Sequence, residues 1–180
     1  MIFNQTSLKG SYVIELSPFT DSRGWFVRTF CKKEFLEIGH TKEWVQMNHS
    51  FTATKGTIRG MHFQLAPHEE IKMVRCIAGA VYDVIIDVRK DSPTYLQWYG
   101  TELSAVNKKM LYIPAGFAHG FQTLEENTEL IYHHSEYYSP GAEAGIKFND
   151  KAVNINWPIH ITDISDRDNN HPPINSNFKS

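Results

Sequence analysis

Cysteine is scarce in this chain, with only Cys31 and Cys76 present. Neither belongs to a Cys-x-x-Cys pair, which excludes a disulfide framework, and both read as reduced packing residues. An excess of one charge is missing too. Eighteen Lys and Arg face twenty Asp and Glu, a net charge of -2, so no basic face is available to neutralise a nucleic-acid backbone. Long apolar runs are absent: the best, 81–86, is interrupted by Asp83. No membrane span is expected, and the start Met1-Ile2-Phe3-Asn4-Gln5 has neither the basic head nor the apolar stretch of a secretory leader. The expected compartment is the cytoplasm. Gly-x-Ser-x-Gly, Gly-x-Gly-x-x-Gly and Walker loops are also missing, which argues against a serine nucleophile elbow, a nicotinamide cofactor and phosphoryl transfer. Acid and base chemistry without a cofactor remains.

The chain has plenty of aromatic residues, with eleven Phe, eight Tyr and four Trp in 180 residues. That content suits a β-rich barrel or sandwich, and the length fits a single domain spanning 1–180. The periodicity predicts short strands at 12–16, as an edge or swapped strand, and at 25–30 after an Asp21-Ser22-Arg23-Gly24 turn. A short helix is expected over 32–38, ending at Gly39. Strands then follow closely at 44–48, 56–64, 71–77, 80–88, 95–99, 101–103, 109–113, 120–124 and 129–133. Without long helical crossovers, such a series predicts an all-β antiparallel barrel or jelly roll with its core at about 44–135. Residues 140–180 are rich in proline and polar residues, and read as a cover able to carry a catalytic residue over the barrel mouth. No internal repeat or low-complexity tract occurs.

Nine histidines raise the question of a metal. His133 and His134 are adjacent and face opposite sides of a strand, and the position two past His62 is Gln64, so strand spacing supplies no ligand pair. No metal is expected. His62 suits a general base, because imidazole titrates near neutral pH, with Asp83 or Asp168 as its carboxylate partner. Spacing is equally compatible with a core histidine. Lys72, if inward, needs an anion such as a developing oxyanion; spacing also allows a solvated lysine on the outer face. Tyr132 ends an apolar strand as a hydroxyl acid or as packing.

The motifs together resemble the dTDP-4-dehydrorhamnose 3,5-epimerase family. The resemblance rests on Phe19-Thr20-Asp21-Ser22-Arg23-Gly24-Trp25-Phe26, Gln46-Met47-Asn48-His49-Ser50, Arg59-Gly60-Met61-His62-Phe63-Gln64, Lys72-Met73-Val74-Arg75, Ile113-Pro114-Ala115-Gly116-Phe117-Ala118-His119-Gly120-Phe121 and Ser165-Asp166-Arg167-Asp168, in that order. It implies a double-stranded β-helix of the cupin jelly-roll type with short peripheral helices, working as a metal-free homodimer without cofactors. The implied substrate is a nucleoside-diphosphate 4-keto-6-deoxy sugar, inverted at C3 and C5. By similarity His62 is the base, Asp168 its orienting carboxylate, Lys72 the partner of the enolate oxygen and Tyr132 the opposing acid. Arg23 and Arg59 match diphosphate partners, Gln46 and Asn48 the nucleoside and diphosphate surroundings, and His119 a sugar or phosphate contact. Tyr138 matches a stack on the base, Glu143 a nucleotide contact and Phe26 a further substrate contact. Arg28 departs from the pattern: the family usually has glutamate at this nucleotide-contacting position. His133, where lysine is common, is a second departure. Inversion at C3 or C5 alone, and a CDP- or GDP-linked substrate, share the same residues. From other classes, a metal cupin and a non-catalytic sugar-nucleotide binder remain as alternatives.

Overall fold

The computed structural model describes residues 1–175 and 178. In chain order the strands are β1 (Ile2–Gln5), β2 (Tyr12–Glu15), β3 (Phe19–Asp21), β4 (Gly24–Phe26), β5 (Gln46–Thr52), β6 (Thr57–Gln64), β7 (Lys72–Ala78) and β8 (Ala80–Asp87). They continue with β9 (Trp98–Ser104), β10 (Met110–Ile113), β11 (Phe117–Thr123), β12 (Thr128–His134), β13 (Glu143–Gly145) and β14 (Asp163–Ile164). Helix α1 (Lys32–Phe35) runs into a 3-10 turn (Leu36–Ile38), and α2 (Asp166–Asn169) lies near the C-terminus. Gly39 closes the first helical segment at φ 78°, a left-handed cap that glycine adopts without steric penalty.

Two sheets face one another, in the order β1-β2-β10-β7-β12-β5 and β13-β6-β11-β8-β9, with β14 added beside β6. This is a jelly roll, as the strand series predicts, and of the cupin-like type that the resemblance implies. Beyond the added short strands β1, β3, β13 and β14, three expected stretches come out differently. Residues 12–16 are not an edge: β2 is flanked by β1 and β10, and its Val13 and Ile14 are buried. The strand expected over 25–30 stops at Phe26, because the β3–β4 hairpin stands away from both sheets and nothing continues its ladder. Residues 95–96 form a turn, with Leu96 at φ 61°, and the strand begins only at Trp98.

Period-two alternation sorts the side chains into layers. Val81 and Ile85 of β8 point between the sheets, meeting Val74, Cys76, Leu111, Ile113, Phe121 and Leu130. Val84 and Ile86 point the other way, under Ile146 and Val153 of the C-terminal cover. On the outer face of the first sheet, Ile14, Met73 and Met110 pack against Phe35 of α1. Each fully buried aliphatic side chain contributes about 1.5–3 kcal/mol relative to exposure. The inner face is apolar at one end only. At the other end the same parity delivers His62, Lys72, His119, Tyr132 and His134, so the apolar half of the core is the floor of a polar mouth.

Beside α1, His40 stacks on Trp44 at 4.3 Å and is 2% exposed; its Nε2, like His133 Nδ1, has no hydrogen-bond partner among the described residues. Burial lowers the pKa of both imidazoles from the ordinary 6.5. Below that pH the unfolded chain binds protons that the folded chain refuses, so these groups stabilise the fold above pH 6.5. Their contribution is lost as pH falls from 6.5 through the lowered folded values. Urea midpoints measured between pH 8 and pH 5 should fall with pH, and His40→Phe should flatten that slope; an unchanged slope would contradict the assignment.

Candidate active site

The mouth is a cavity of about 640 Å³, lined among others by Gln46, Asn48, Ser50, Arg59, His62 and Lys72. His62 is carried by β6 and stands opposite His119 of β11. Gly60 permits this approach: its φ is +131°, and a Cβ there would lie 2.5 Å from Gly120 Cα.

Asp168 arrives from the C-terminal cover, which β14 fixes by pairing in parallel with Thr57 and Ile58 of β6. Ser165 caps α2 by accepting from Asp168 N. The carboxylate is 2% exposed. His62 Nε2 lies 2.8 Å from Asp168 Oδ1, and Gly60 N donates to Oδ2 at 3.0 Å. An ionised carboxylate only accepts, so Nε2 carries the hydrogen and Nδ1 keeps the lone pair. Burial alone would raise the Asp168 pKa. The hydrogen bonds from His62 and the Gly60 amide outweigh it and hold this carboxyl well below the usual carboxylate range. Arg167 donates from Nε to Asp168 Oδ1 at 3.2 Å and from a terminal nitrogen to Glu143 at 3.0 Å. Its other terminal nitrogen sits 3.0 Å from His62 Nε2, donor against donor.

Lys72 is inward and only 8% exposed. Its Nζ lies 3.0 Å from Glu70 Oε1 and 3.4 Å from the His62 carbonyl oxygen. The outer-face alternative that spacing allowed is therefore excluded: an internal carboxylate already compensates the buried ammonium. Tyr132 shares a hydrogen bond of 3.0 Å with Ser50 Oγ, and burial pushes its phenol strongly up, which keeps the hydroxyl protonated throughout the neutral range. Asp83, the other carboxylate considered for His62, instead holds His119 Nε2 at 2.9 Å and is fully buried; burial raises its pKa, partly offset by His119.

Gln46, Asn48, Arg59, His119, Tyr138 and Glu143 line the same cavity as His62, Lys72, Tyr132 and Asp168. Three expected substrate contacts lie outside it in their own chain. Arg23 and Phe26 sit on the β3–β4 hairpin, with the Arg23 side chain 88% exposed and paired to Asp21 at 2.6 Å. Arg28 is drawn to Glu34 of the first helix at 3.0 Å. Glu70, His134, Ser50 and Arg167 were missed from sequence. Period two offered a signal for two of them, since Ser50 and His134 each stand two residues from a recognised position on the same strand face, whereas Glu70 lies before the start of β7.

His62, Asp168 and His171 also bring three potential metal ligands within 4.8 Å of one another, a grouping that strand spacing does not foretell. The Arg167 guanidinium lies against two of these donor atoms, and Asp168 Oδ1 already accepts from both His62 and Arg167. The set has the chemistry of an ion-paired dyad.

Comparison with known proteins fits this geometry. The family model described as dTDP-4-dehydrorhamnose 3,5-epimerase matches residues 5–176. The dTDP-4-dehydrorhamnose 3,5-epimerase of Shigella flexneri is 45% identical over 167 residues, 92% of each chain. The crystal structure of the Bacillus anthracis enzyme of that name, with TDP and PPi bound, superposes with a TM-score of 0.93 at 42% identity, covering 96% of this chain and 99% of that one. The Legionella pneumophila dTDP-6-deoxy-D-glucose-3,5-epimerase, in complex with dTDP-4-keto-L-rhamnose, gives 0.88 at 36% identity, covering 93% and 89%. The class so defined is an isomerase built on a jelly roll, with its polar residues gathered at one mouth. The chain belongs to the dTDP-4-dehydrorhamnose 3,5-epimerase family.

Proposed function

We propose that this protein inverts C3 and C5 of a dTDP-4-dehydro-6-deoxyglucose-type sugar in deoxysugar biosynthesis, in the cytoplasm and without a cofactor. Both carbons are α to the C4 ketone, so their protons become removable once the enolate oxygen is stabilised. His62 Nδ1 takes the proton, while Asp168 holds the ring and the imidazolium that forms. Lys72 faces the enolate oxygen. Tyr132 returns a proton to the opposite face of the ring.

One observation carries this reading. The base stands on β6 of the second sheet, whereas Lys72 and Tyr132 stand on β7 and β12 of the first, and all three line one cavity. Inversion needs a base and an acid on opposite faces of the sugar, and two facing sheets supply opposed walls. The test is incubation with dTDP-4-dehydro-6-deoxyglucose followed by borohydride reduction of the C4 ketone, which restores H4 so that the ring couplings read by proton NMR give the configuration at C3 and at C5. Inverted configuration at both carbons is expected; unchanged substrate would sink the proposal.

Arg59, Gln46, Asn48, His119, Tyr138 and Glu143 hold the nucleoside diphosphate, a planar guanidinium suiting the diphosphate oxygens. Arg23, Phe26 and Arg28 join them from the second protomer of a homodimer. That assignment is supported by the hairpin's exposed Phe19 (79%) and Phe26 (73%) and by Met47 (67%) and Phe51 (54%) on edge strand β5, more apolar surface than an isolated chain gains from leaving in water. Arg28 places positive charge where the family usually has a carboxylate, so the nucleoside contact is rebuilt there.

A further inference from the structure

Glu70 lies just before β7, inside the cavity, with a side chain 10% exposed. Its two oxygens serve two strands. Oε1 is 3.0 Å from Lys72 Nζ on β7, and Oε2 is 2.6 Å from His134 Nδ1 on β12. Since the carboxylate only accepts, His134 carries its hydrogen on Nδ1. That leaves Nε2 as the acceptor facing Asn48 Nδ2 at 3.3 Å. The fixed imidazole then stacks on Tyr132, with ring centroids 6.1 Å apart and planes 27° from parallel. Burial alone would raise the Glu70 pKa; the His134 hydrogen bond and the Lys72 charge overturn this and lower it, so the group stays ionised at neutral pH.

From this geometry we infer that Glu70 is a positioning residue for the epimerase reaction, holding the Lys72 ammonium in place and, through His134, the ring of Tyr132. The inference rests on the roles proposed above for Lys72 and Tyr132. Lys72 has three donors: one is taken by Glu70, one points to the His62 carbonyl oxygen at 3.4 Å, and the third is left for the substrate oxygen. With Glu70 ionised the ammonium stays inside the cavity in one orientation, and without it a buried lysine turns toward water. The pair carries no net charge, so Glu70 contributes orientation rather than added positive potential. Such a contribution appears in turnover more than in binding.

Glu70→Gln tests this with little change in shape. A glutamine amide presents one oxygen and one NH2: with the oxygen on Lys72, the NH2 faces His134 Nδ1 and drives the imidazole to its other tautomer, and the negative charge that holds the ammonium is gone. The expected result is kcat lower by about 10- to 100-fold with KM within about threefold, the pattern of an interaction made in the transition state. Glu70→Asp, which keeps the charge, should recover part of the loss, and it carries the kinetic test if Glu70→Gln fails to fold. A kcat within twofold of wild type in the folded variant, or a loss confined to KM, would overturn the inference. A second readout is independent of turnover. In 15N-histidine spectra the wild type should show a slowly exchanging, strongly downfield Nδ1 proton that is lost in both Glu70→Gln and His134→Gln; its absence from the wild type would overturn the inference. A wild type inactive on every 4-keto sugar nucleotide would refute the proposed function, and this resonance would still decide whether Glu70 holds His134.

Discussion

His62→Ala should lose solvent proton exchange at both C3 and C5, with turnover falling at least about 10³-fold, within the range that a positioned base supplies. Both carbons flank one ketone, and His62 Nδ1 is the lone pair left free by the bond from Nε2 to Asp168. A single base therefore serves both positions, and neither should exchange without it. The variant should still fold, because His62 is partly exposed at the cavity wall and Met61 and Phe63, which flank it, do the packing. Its affinity for the nucleoside diphosphate should be nearly that of the wild type, since that part of the substrate meets other residues. Deuterium exchange persisting at either carbon in His62→Ala would show that another group removes that proton.

Tyr132→Phe should separate two events that His62→Ala stops together. The phenol is buried and its pKa is pushed up, so the hydroxyl remains a proton donor across the working pH range. Phenylalanine keeps the ring stacked on His134 and removes only the hydroxyl, leaving Ser50 without that partner. Proton abstraction by His62 should continue within several-fold of the wild-type rate, whereas inversion should fall by about 10²- to 10⁴-fold. The enolate is then reprotonated from the face on which it lost its proton. In heavy water the recovered sugar should carry deuterium with its original configuration. Loss of exchange equal to the loss of inversion would assign Tyr132 to enolate formation instead.

The jelly roll was legible because period-two alternation and short strand spacing act locally, and β6, β7, β8 and β12 lie close to where the apolar pattern puts them. The hairpin was harder. Residues 25–30 have strand-like composition, but Gly24–Phe26 pairs only with Phe19–Asp21, and no neighbour extends the ladder past Phe26. Composition cannot reveal a missing neighbour. Spacing left Lys72 open between the inner and outer faces, because the reason it can be buried is Glu70, a carboxylate reached through the turn before β7. Asp83 and Asp168 were equivalent partners for His62 in sequence. Tertiary structure separates them: β8 places Asp83 behind His119, while β14 and the Ser165 cap bring Asp168 over the mouth. Arg167, named with Asp168 in one motif, was given no role there; on so short a helix adjacent residues still reach one site. The resemblance carried the choice of His62, Lys72, Tyr132 and Asp168, and the fold gathers all four at one cavity.

The most direct test of opposed acid and base is incubation of the wild-type protein with dTDP-4-dehydro-6-deoxyglucose in heavy water, followed by mass and NMR analysis of each ring carbon. Deuterium at both C3 and C5 of an inverted product is the expected result. Deuterium at one carbon alone, or inversion without any deuterium, would contradict it.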